Sequence, residues 1–317
     1  MSDARATQAA RGSSAASLVR PYGADDATAF RALLHHPSLA SEFGWLLANG
    51  ELNDPRRHPF GDPLGVWVTS AAASLSGFAS AVGFTAKSGD WTLLRVGVRE
   101  PHRHRGLGRA LISAAIRHVA SSHEGGLLKI SHWEPNAEAE SFASALGFEH
   151  DRFFWTMERA RNGARAVTWP AGVEARHFDG GERMLRDWCD CSNAAFARSP
   201  MSVDTTVEQC RILASARHPN AIMLAYRDGR CVGFCRTAVH PDRGDVDVLG
   251  VVPDARRLGL GRALLRWGVG WLLERRAAHV RLTVDGENDR ALALYRDEGF
   301  EVVKSRHIWR RTTADRL

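Results

Sequence analysis

The sequence predicts an α/β (α+β) protein made of two tandem domains, each a sheet flanked by helices. The chain has 317 residues, about twice the length of a typical single domain. The stretch HRHRGLGRALI at 102–112 returns as ARRLGLGRALL at 255–265. In both copies strand-like apolar runs precede the stretch, and a helix with apolar residues at helical spacing follows it. Alternating strands and helices around a repeated motif indicate one α/β fold present twice.

The order of the predicted elements is the same in the two halves. Each half opens with a short apolar segment and a helical stretch, and two β-prone runs follow. In the second half the turn RDGR at 227–230 joins these runs as a hairpin. A strand then enters the repeated stretch, and its helix is followed by a strand, an Asn, a helix and a Gly-Phe pair. The matching segments are 91–98 and 245–252 for the entering strand, and 136–147 and 288–299 from the Asn to the Gly.

These matches place the domain boundaries. The first 17 residues are small and polar and lack the apolar centre of an export signal, so we expect a disordered tail at 1–17 and a cytoplasmic protein. The first domain is expected at 18–160 and the second at 172–317. The segment 161–171 between them contains Arg, Gly and Pro, and we expect it to be the linker.

Composition excludes several classes of protein. Hydrophobic residues make up 44% and charged residues 25%, and no run of about 18 apolar residues is present, so we expect no membrane association. The net charge is +6, but the basic residues are spread along the chain, which argues against nucleic-acid binding. The five cysteines have no CxxC pair, which argues against a disulfide framework and against a metal site.

The repeated stretch has the features of an anion-binding loop. A strand that ends in Arg-x-x-Gly-x-Gly and leads directly into a helix exposes backbone N–H groups at the positive end of the helix dipole. Glycines permit a tight turn and close approach of a ligand, and arginines supply charge that suits a pyrophosphate. Neither G-x-G-x-x-G nor the P-loop pattern occurs here. The predicted binding residues are Arg103, His104, Arg105, Gly106, Gly108 and Arg109 in the first copy, and Arg256, Arg257, Leu258, Gly259, Leu260, Gly261 and Arg262 in the second.

The signatures RHRGLG and RRLGLG, with the Asn, helix and Gly-Phe downstream, resemble those of the Gcn5-related N-acetyltransferases (GNAT family). Nearly the whole chain resembles a tandem pair of such domains. The organisation, with SNAAF, VGFCRTAVHP and DVDVLGVVP in the second half, is similar to that of the mycothiol synthases within this family. The resemblance implies a mixed, mostly antiparallel sheet in each domain and acetyl-CoA as co-substrate. It also implies that acetyl-CoA contacts Leu249, Gly250, Val251 and Asn288, and in the first copy Val96 and Val98.

The resemblance also implies the groups that carry the chemistry. Acetyl transfer to an amine needs a base for the ammonium and an acid for the departing thiolate. In the family a tyrosine on the helix after the Asn serves as the acid, and Tyr295 occupies that position, whereas the first copy has Ala143 there. The second domain is therefore expected to be catalytic and the first degenerate.

The base is expected on the strand that enters the second glycine stretch. Asp245 and Asp247 are two residues apart, which predicts that they share one face of the strand. We expect Asp245 to be the base because it aligns with the glutamate of the mycothiol synthases, and Asp247 stays open as the alternative. The counterparts in the first copy are expected to be Thr92 and Leu94.

Three positions depart from the mycothiol synthase pattern: Met201–Ser202 replaces an acidic residue, Ala238 a lysine and Thr283 a tyrosine. This favours another polyhydroxylated amine, an aminoglycoside or aminosugar-inositol compound, and thus an antibiotic-resistance enzyme. The carboxylates expected to meet such a cation are Asp204, Glu208, Asp245, Asp247, Asp285 and Glu287. Acetylation of a mycothiol precursor, acetylation of proteins or peptides, and a non-catalytic acetyl-CoA sensor stay open, as does the choice between a monomer and a homodimer.

Overall fold

The structure, a computed structural model, describes residues 18–43, 62–71, 74–85, 89–122, 126–199, 202–215 and 221–314. These residues form two compact units. The described residues up to Thr85, Gly89–Asp151 and those from His307 onwards form unit 1, and Arg152–Arg306 form unit 2. The predicted tail at 1–17 lies outside the described residues. None of the described helices is long and apolar enough to cross a membrane.

Unit 1 is a mixed sheet with helices, as the sequence predicts. Its strands follow the order β1-β2-β3-β4-β5, and all neighbours are antiparallel except the parallel pair β4 and β5. The elements are β1 (Val19–Pro21), α1 (Ala27–Leu34), α2 (Pro37–Phe43), β2 (Asp62–Ala71), β3 (Ser74–Phe84), β4 (Trp91–Val98), α3 (Leu107–Ser122), β5 (Leu127–Trp133) and α4 (Ala137–Ala145).

Unit 2 repeats this arrangement. Its strands follow the order β7-β8-β9-β10-β11, and β10 and β11 are again the parallel pair among antiparallel neighbours. The elements are β7 (Val173–His177), α5 (Glu182–Phe196), α6 (Val207–Ser215), β8 (Ile222–Arg227), β9 (Arg230–Val239), β10 (Gly244–Val251), α7 (Leu260–Glu274), β11 (His279–Asp285) and α8 (Asp289–Asp297). The mostly antiparallel sheet expected from the resemblance is confirmed in both units.

The last strand of each repeat completes the sheet of the other unit. Strand β6 (Glu149–Ala160) closes the first repeat in sequence, but it pairs antiparallel with β11 from Phe154 to Ala160. Strand β12 (Glu301–Thr312) closes the second repeat, but its residues from His307 lie in unit 1, where β12 is the neighbour of β5. The compact units therefore differ from the sequence repeats 18–160 and 172–317 at these two strands.

The segment 161–170 forms neither helix nor strand, and it contacts the rest of unit 2 through a main-chain carbonyl and the side chain of Arg165. Arg266 Nη1 on α7 donates to the carbonyl of Ala166 at 3.2 Å, and Arg165 Nη1 donates to the carbonyl of Asp297 at 2.7 Å. Arg165 also lies 3.4 Å from the buried carboxylate of Glu298. The segment expected to be a linker is thus attached along the surface of one unit.

The core of unit 2 lies between the sheet and α7. Leu264, Leu272 and Phe300 are almost fully buried there, and burial of such side chains stabilises a fold by about 1.5 to 3 kcal/mol each. Gly268 lets α7 approach the sheet closely, because a Cβ at this position would stand 2.9 Å from Cys235 Sγ. The five cysteines are free thiols and all are buried.

A cluster of histidines lies in unit 1 beside the end of β5. Trp309 Nε1 donates to His132 Nε2 at 3.0 Å, so that nitrogen of His132 acts as an acceptor. His307 Nε2 lies 2.8 Å from Glu134 Oε2, and His307 Nδ1 lies 2.9 Å from His150 Nε2. A neutral His307 fits both contacts, with Nε2 as donor and Nδ1 as acceptor. Burial lowers the pKa of His307, and the neighbouring His150 and His132 lower it further, whereas Glu134 and Glu140 raise it.

We expect this cluster to make unit 1 less stable in acid. Because the folded state lowers the pKa of His307, the unfolded chain binds the proton more tightly, and the stabilising contribution is lost as the pH falls below about 6.5. His307→Gln keeps one donor and one acceptor without titrating. Its melting temperature should fall less than that of the native chain between about pH 7.5 and about pH 5. His279→Gln in unit 2 is the control and should keep the native loss; an unchanged loss in His307→Gln contradicts the assignment.

Candidate active site

An opening between two parallel strands forms the centre of the candidate site. Strands β10 and β11 pair only from Gly244 to Val246, although β10 continues to Val251. In unit 1 the pair β4 and β5 likewise ends at Leu93. Beyond these points the two parallel strands do not pair with each other in the described part of the chain. Backbone N–H and C=O groups of both strands therefore face the opening. These groups are available to a ligand.

A β-bulge stands where β10 leaves β11. The pairing with β9 shifts register between Val246 and Val248, which makes Asp247 the extra residue. The pairing of β3 with β4 has no such shift. The repeats are therefore offset by 152 positions before the bulge, where the core residues Leu94 and Val246 correspond. After the bulge they are offset by 153, where Val98 and Val251 correspond.

One expectation from the sequence needs correction here. The bulge makes Leu93, rather than Thr92, the counterpart of Asp245, and Asp247 has no counterpart in the first repeat. The shared face of Asp245 and Asp247 stays a prediction, since Val246 between them is buried while both carboxylates reach solvent. The two carboxylates have different partners.

Asp245 is held by two basic side chains at the start of β10. Arg243 Nε donates to Asp245 Oδ1 at 3.0 Å, and His240 Nε2 lies 3.0 Å from Asp245 Oδ2. Asp245 also lies within the paired part of the strands, in register with Arg281. Asp247 lies two residues nearer to the opening, with its Oδ2 3.6 Å from Arg236 Nε.

The end of β10 is closely packed against β9. A Cβ at Gly250 would stand 2.5 Å from Phe234 Cε1, so no larger residue fits there without displacing the ring. Leu249 and Val251 flank this glycine, and the three predicted residues run together along the strand edge that β11 has left. In unit 1, Val96 and Val98 occupy the matching positions on β4.

The two glycine loops, 103–108 and 256–261, have the same backbone conformation. Arg257 and Gly259 have φ values of 67° and 84°, and His104 and Gly106 have 58° and 80°. Gly259 is the N-cap of α7, and no atom lies within 4 Å of where its Cβ would be. Left-handed residues that lead into a helix turn successive N–H groups to one side, where an anion binds.

Gly108 and Gly261 lie in the first turns of α3 and α7. A Cβ at Gly261 would make only ordinary contacts, the nearest at 3.7 Å to Leu294. At Gly108 the nearest atom would be Phe142 Cε2 at 3.4 Å. Packing in this structure therefore tolerates a larger residue at Gly261, and close approach of a ligand is a physical reason for glycine there. Leu258 is exposed at the loop, whereas Leu260 is buried beneath it.

The arginines of the glycine loops differ in their partners. Arg256 Nε donates to the carbonyl of Val251 at 3.0 Å and Arg256 Nη2 to that of Ala195 at 2.8 Å, so this side chain braces the loop against α5. Arg103 makes the matching bonds to Val98 and Ser38. Arg262 binds Glu298 at 2.6 Å and Asp297 at 3.0 Å, and Arg109 donates to the carbonyl of Ala145 at 3.1 Å.

Arg257 and Arg105 are the loop arginines whose guanidinium groups can bind an anion. Neither side chain has a hydrogen bond or ion pair with the residues that the structure describes. The first loop also faces Glu138, whose carboxylate lies 3.5 Å from Arg103 and 3.4 Å from His104. The corresponding position of the second repeat is Arg290. The electrostatic surroundings of the second loop therefore suit an anion better than those of the first.

Tyr295 lies on α8, the helix that follows β11, and Asn288 is the N-cap of that helix. Tyr295 is almost completely buried, which raises the pKa of its hydroxyl to about 12, so the group is protonated near neutral pH. At the same position unit 1 has Ala143, fully buried. Asn288 caps α8, since its Oδ1 accepts from the N–H of Ala291 at 3.2 Å, and Asn136 caps α4 in the same way. The side-chain amide of Asn288 keeps its N–H groups for other partners.

The remaining predicted carboxylates do not all converge on the opening. Asp285 lies 3.1 Å from Arg152 and accepts from the N–H of Glu287. Glu208 lies on α6, exposed and 3.0 Å from Arg211. Asp204 is exposed on the segment before α6. Of the changed substrate positions, Ala238 is buried, Thr283 is exposed on β11 and Met201 lies outside the described residues.

Sequence reasoning missed Arg236 and Trp188. Arg236 lies on β9 with only 8% of its surface exposed, and its guanidinium lies over the ring of Trp188 on α5. A charged residue within the apolar run CVGFCRTAV was the available signal. As for metals, the described ranges contain no group of three or more His, Cys, Asp or Glu placed to hold an ion.

The sequence is similar to those of known acetyltransferases. Residues 30–148 and 182–300 each match the Acetyltransferase (GNAT) family. A mycothiol acetyltransferase of Geodermatophilus obscurus is 32% identical over 316 residues, covering 94% of this chain and 99% of that protein. A mycothiol acetyltransferase of Thermomonospora curvata is 38% identical over 208 residues, covering 64% of this chain and 68% of that protein.

Two solved structures share the fold of the whole chain. A GCN5-related N-acetyltransferase from Sphaerobacter thermophilus has a TM-score of 0.70 at 21% identity, covering 94% of this chain and 96% of that one. A tandem GNAT protein from the clavulanic acid biosynthesis pathway also has a TM-score of 0.70, at 16% identity, covering 94% and 99%. At these identities the likeness concerns the fold alone.

The different partners of the loop arginines predict different effects on acetyl-CoA binding. Arg257→Ala should weaken binding about tenfold or more, because a charge-assisted hydrogen bond to a phosphate contributes about 1.5 to 3 kcal/mol. Arg262→Ala is the matched control. It should lower the melting temperature, because it removes the partner of Glu298, and change affinity by less than about threefold. Calorimetric titration separates the two; a larger loss of affinity in Arg262→Ala would show that this arginine leaves Glu298 to bind the ligand.

Proposed function

Because this chain belongs to the GNAT family and is an N-acetyltransferase, we propose that unit 2 transfers acetyl from acetyl-CoA to the primary amine of a small polyhydroxylated acceptor. We further propose that this acceptor is of the mycothiol type, a cysteinyl aminosugar. One observation carries the assignment to unit 2: the bulge carboxylate Asp247 and the buried hydroxyl of Tyr295 occur in the same unit, and unit 1 has a counterpart for neither.

The residues of unit 2 suit acetyl-CoA. The diphosphate meets the second glycine loop, with its backbone N–H groups and Arg257, and the pantetheine arm follows the free edge of β10 at Leu249, Gly250 and Val251. The thioester supplies an activated acetyl group. The N–H of Gly250 or Val251 donates to the thioester carbonyl and stabilises the negative charge that develops on its oxygen.

Asp247 acts as the proton acceptor and Tyr295 as the proton donor of the reaction. The carboxylate of Asp247 takes a proton from the acceptor ammonium, directly or through a water, and the free amine attacks the thioester carbonyl. The C–S bond breaks, and Tyr295 gives its proton to the departing CoA thiolate. The nitrogen, which carries one proton too many after the attack, loses it and becomes the amide, and this proton returns to the tyrosinate directly or through water. The raised pKa of Tyr295, about 12, keeps the hydroxyl protonated until the thiolate forms.

Asp247 is the better candidate for the base than Asp245. Arg243 and His240 already hold both oxygens of Asp245, so the ammonium of an acceptor would have to compete with these two side chains for the carboxylate. Asp247 also lies next to Leu249 and Gly250, whereas Asp245 lies within the paired segment. The alignment with the mycothiol synthase glutamate still favours Asp245, and substitution of each residue decides between them.

The acceptor proposal depends on the relatives, since mycothiol acetyltransferases match from 30% to 38% identity. A second candidate is an aminoglycoside amine, which Ala238 and Thr283 favour because both replace longer polar residues of the mycothiol synthase pattern. With both positions shortened, a bulkier acceptor has more room.

The direct test is release of free thiol from acetyl-CoA in the presence of different acceptors. The panel contains a cysteinyl glucosaminyl-inositol, an aminoglycoside set, free amino acids and short peptides. We expect turnover with the cysteinyl aminosugar at the highest kcat/KM. Faster turnover with an aminoglycoside would select the second candidate, and turnover with peptides alone, or with no acceptor, would refute both.

Substitution of the proposed acid and base tests the mechanism. Tyr295→Phe and Asp247→Asn should each lower kcat by about 100 to 10,000-fold with little change in acetyl-CoA affinity. Asp247→Asn should also remove the rise of activity on the acid side of the pH profile. Asp245→Asn is the matched control; a large loss in this variant with little in Asp247→Asn would move the base by two residues. Full activity of Tyr295→Phe would contradict the assignment of catalysis to unit 2.

A further inference from the structure

We propose that Arg236 is a positioning residue for Asp247, holding the bulge carboxylate in place at the opening. This inference rests on the proposed function of unit 2, in which Asp247 accepts the proton of the amine. Arg236 itself touches neither the thioester nor the acceptor in this scheme. It acts through the carboxylate beside it.

Arg236 occupies a position where a charge is costly. It lies in the middle of β9, and its residue and its neighbours on the strand from Cys231 to Ala238 are all buried. Removing a guanidinium from water is unfavourable unless a partner of opposite charge and a suitable surface compensate for it. The strand would accept an apolar residue at lower cost, so the partners of Arg236 explain its presence.

The guanidinium of Arg236 has an aromatic ring and a carboxylate near it. The ring of Trp188 on α5 lies 6.0 Å from Arg236 Cζ, at the limit of a cation–π contact. Arg236 Nε lies 3.6 Å from Asp247 Oδ2. The side chain of Arg236 is 9% exposed and that of Asp247 is 24% exposed. The guanidinium is thus fixed in the interior, while the carboxylate it attracts reaches solvent.

The backbone places this pair at the bulge. Arg236 is in register with Val248, the residue that follows Asp247 in β10. A bulge disturbs the ladder of hydrogen bonds locally and redirects the side chain of the extra residue. The attraction between Arg236 and Asp247 favours one orientation of that side chain.

Unit 1 supports the pairing by lacking both features. Gly77 pairs with Val98, and Gly233 pairs with Val251 at the matching position of the other repeat. Three residues further along each strand, Ser80 is the counterpart of Arg236. Strand β4 has no bulge, and no residue there corresponds to Asp247. An arginine at this position of the strand and the extra carboxylate therefore occur together in unit 2, whereas in unit 1 the buried arginine is Arg95, on β4 opposite Ser80.

A double-mutant cycle tests the proposal. Arg236→Gln should lower kcat about 10 to 100-fold with unchanged acetyl-CoA affinity. In the Asp247→Asn background, Arg236→Gln should cause less than about a threefold further loss. Arg236→Lys retains the charge and should recover part of kcat. Arg176→Gln removes another arginine that lies over an aromatic ring and pairs with a carboxylate, and should leave kcat unchanged.

Carbon-13 relaxation of the labelled Asp247 carboxyl group gives a readout independent of activity. The order parameter of this side chain should fall in Arg236→Gln, and less in Arg236→Lys, even if no acceptor in the panel is turned over. An order parameter that does not change, or an equal loss of kcat from Arg236→Gln with and without Asp247, would overturn the proposal. If the order parameter falls but Asp247→Asn is fully active, the positioning contact stands and the proposed base is wrong.

Discussion

The parting of β10 and β11 after Val246 is the constraint on which the candidate site depends. Two parallel strands that separate leave main-chain groups exposed at the centre of a sheet, where no side chain can satisfy all of them. In unit 2 the separation coincides with the bulge, with the closely packed Gly250 and with the turn into the second glycine loop. A ligand that supplies a chain of hydrogen-bonding groups, ending in a diphosphate, complements this edge along its whole length.

The two units show how one framework is kept while its chemistry changes. The left-handed loop residues, the Asn caps and the bracing arginines recur with nearly the same geometry. These features maintain the backbone, and each repeat needs them for stability regardless of activity. The features that differ are side chains at the opening: Tyr295 against Ala143, and Arg290 against Glu138. These two differences lie where a bound molecule would be.

Much of this arrangement could be predicted from the sequence, because it depends on local patterns. Glycine spacing, helical periodicity and the repeated Asn and Gly-Phe identified the loops, the helices and the strands beside them. The bulge could not be predicted from the sequence. Corresponding residues of the two repeats are 152 positions apart before Asp247, 153 apart after it, and 152 apart again at Asn288, so the overall spacing conceals the extra residue. The roles of Arg256 and Arg262 also escaped prediction, because a guanidinium beside a glycine motif binds a main-chain carbonyl or a buried carboxylate equally well. Such choices depend on residues distant in sequence.

The exchange of last strands has a consequence for the history of the chain. A protein of one repeat that kept this topology would lack the final strand of its own sheet, and a second copy would have to supply it. Such a protein would be a swapped dimer, a form that identical chains reach at low cost. Fusion of two copies would join the partners of that dimer in one polypeptide without altering any strand pairing. Copies joined in this way could change separately, which would account for Ala143 in one repeat and Tyr295 in the other.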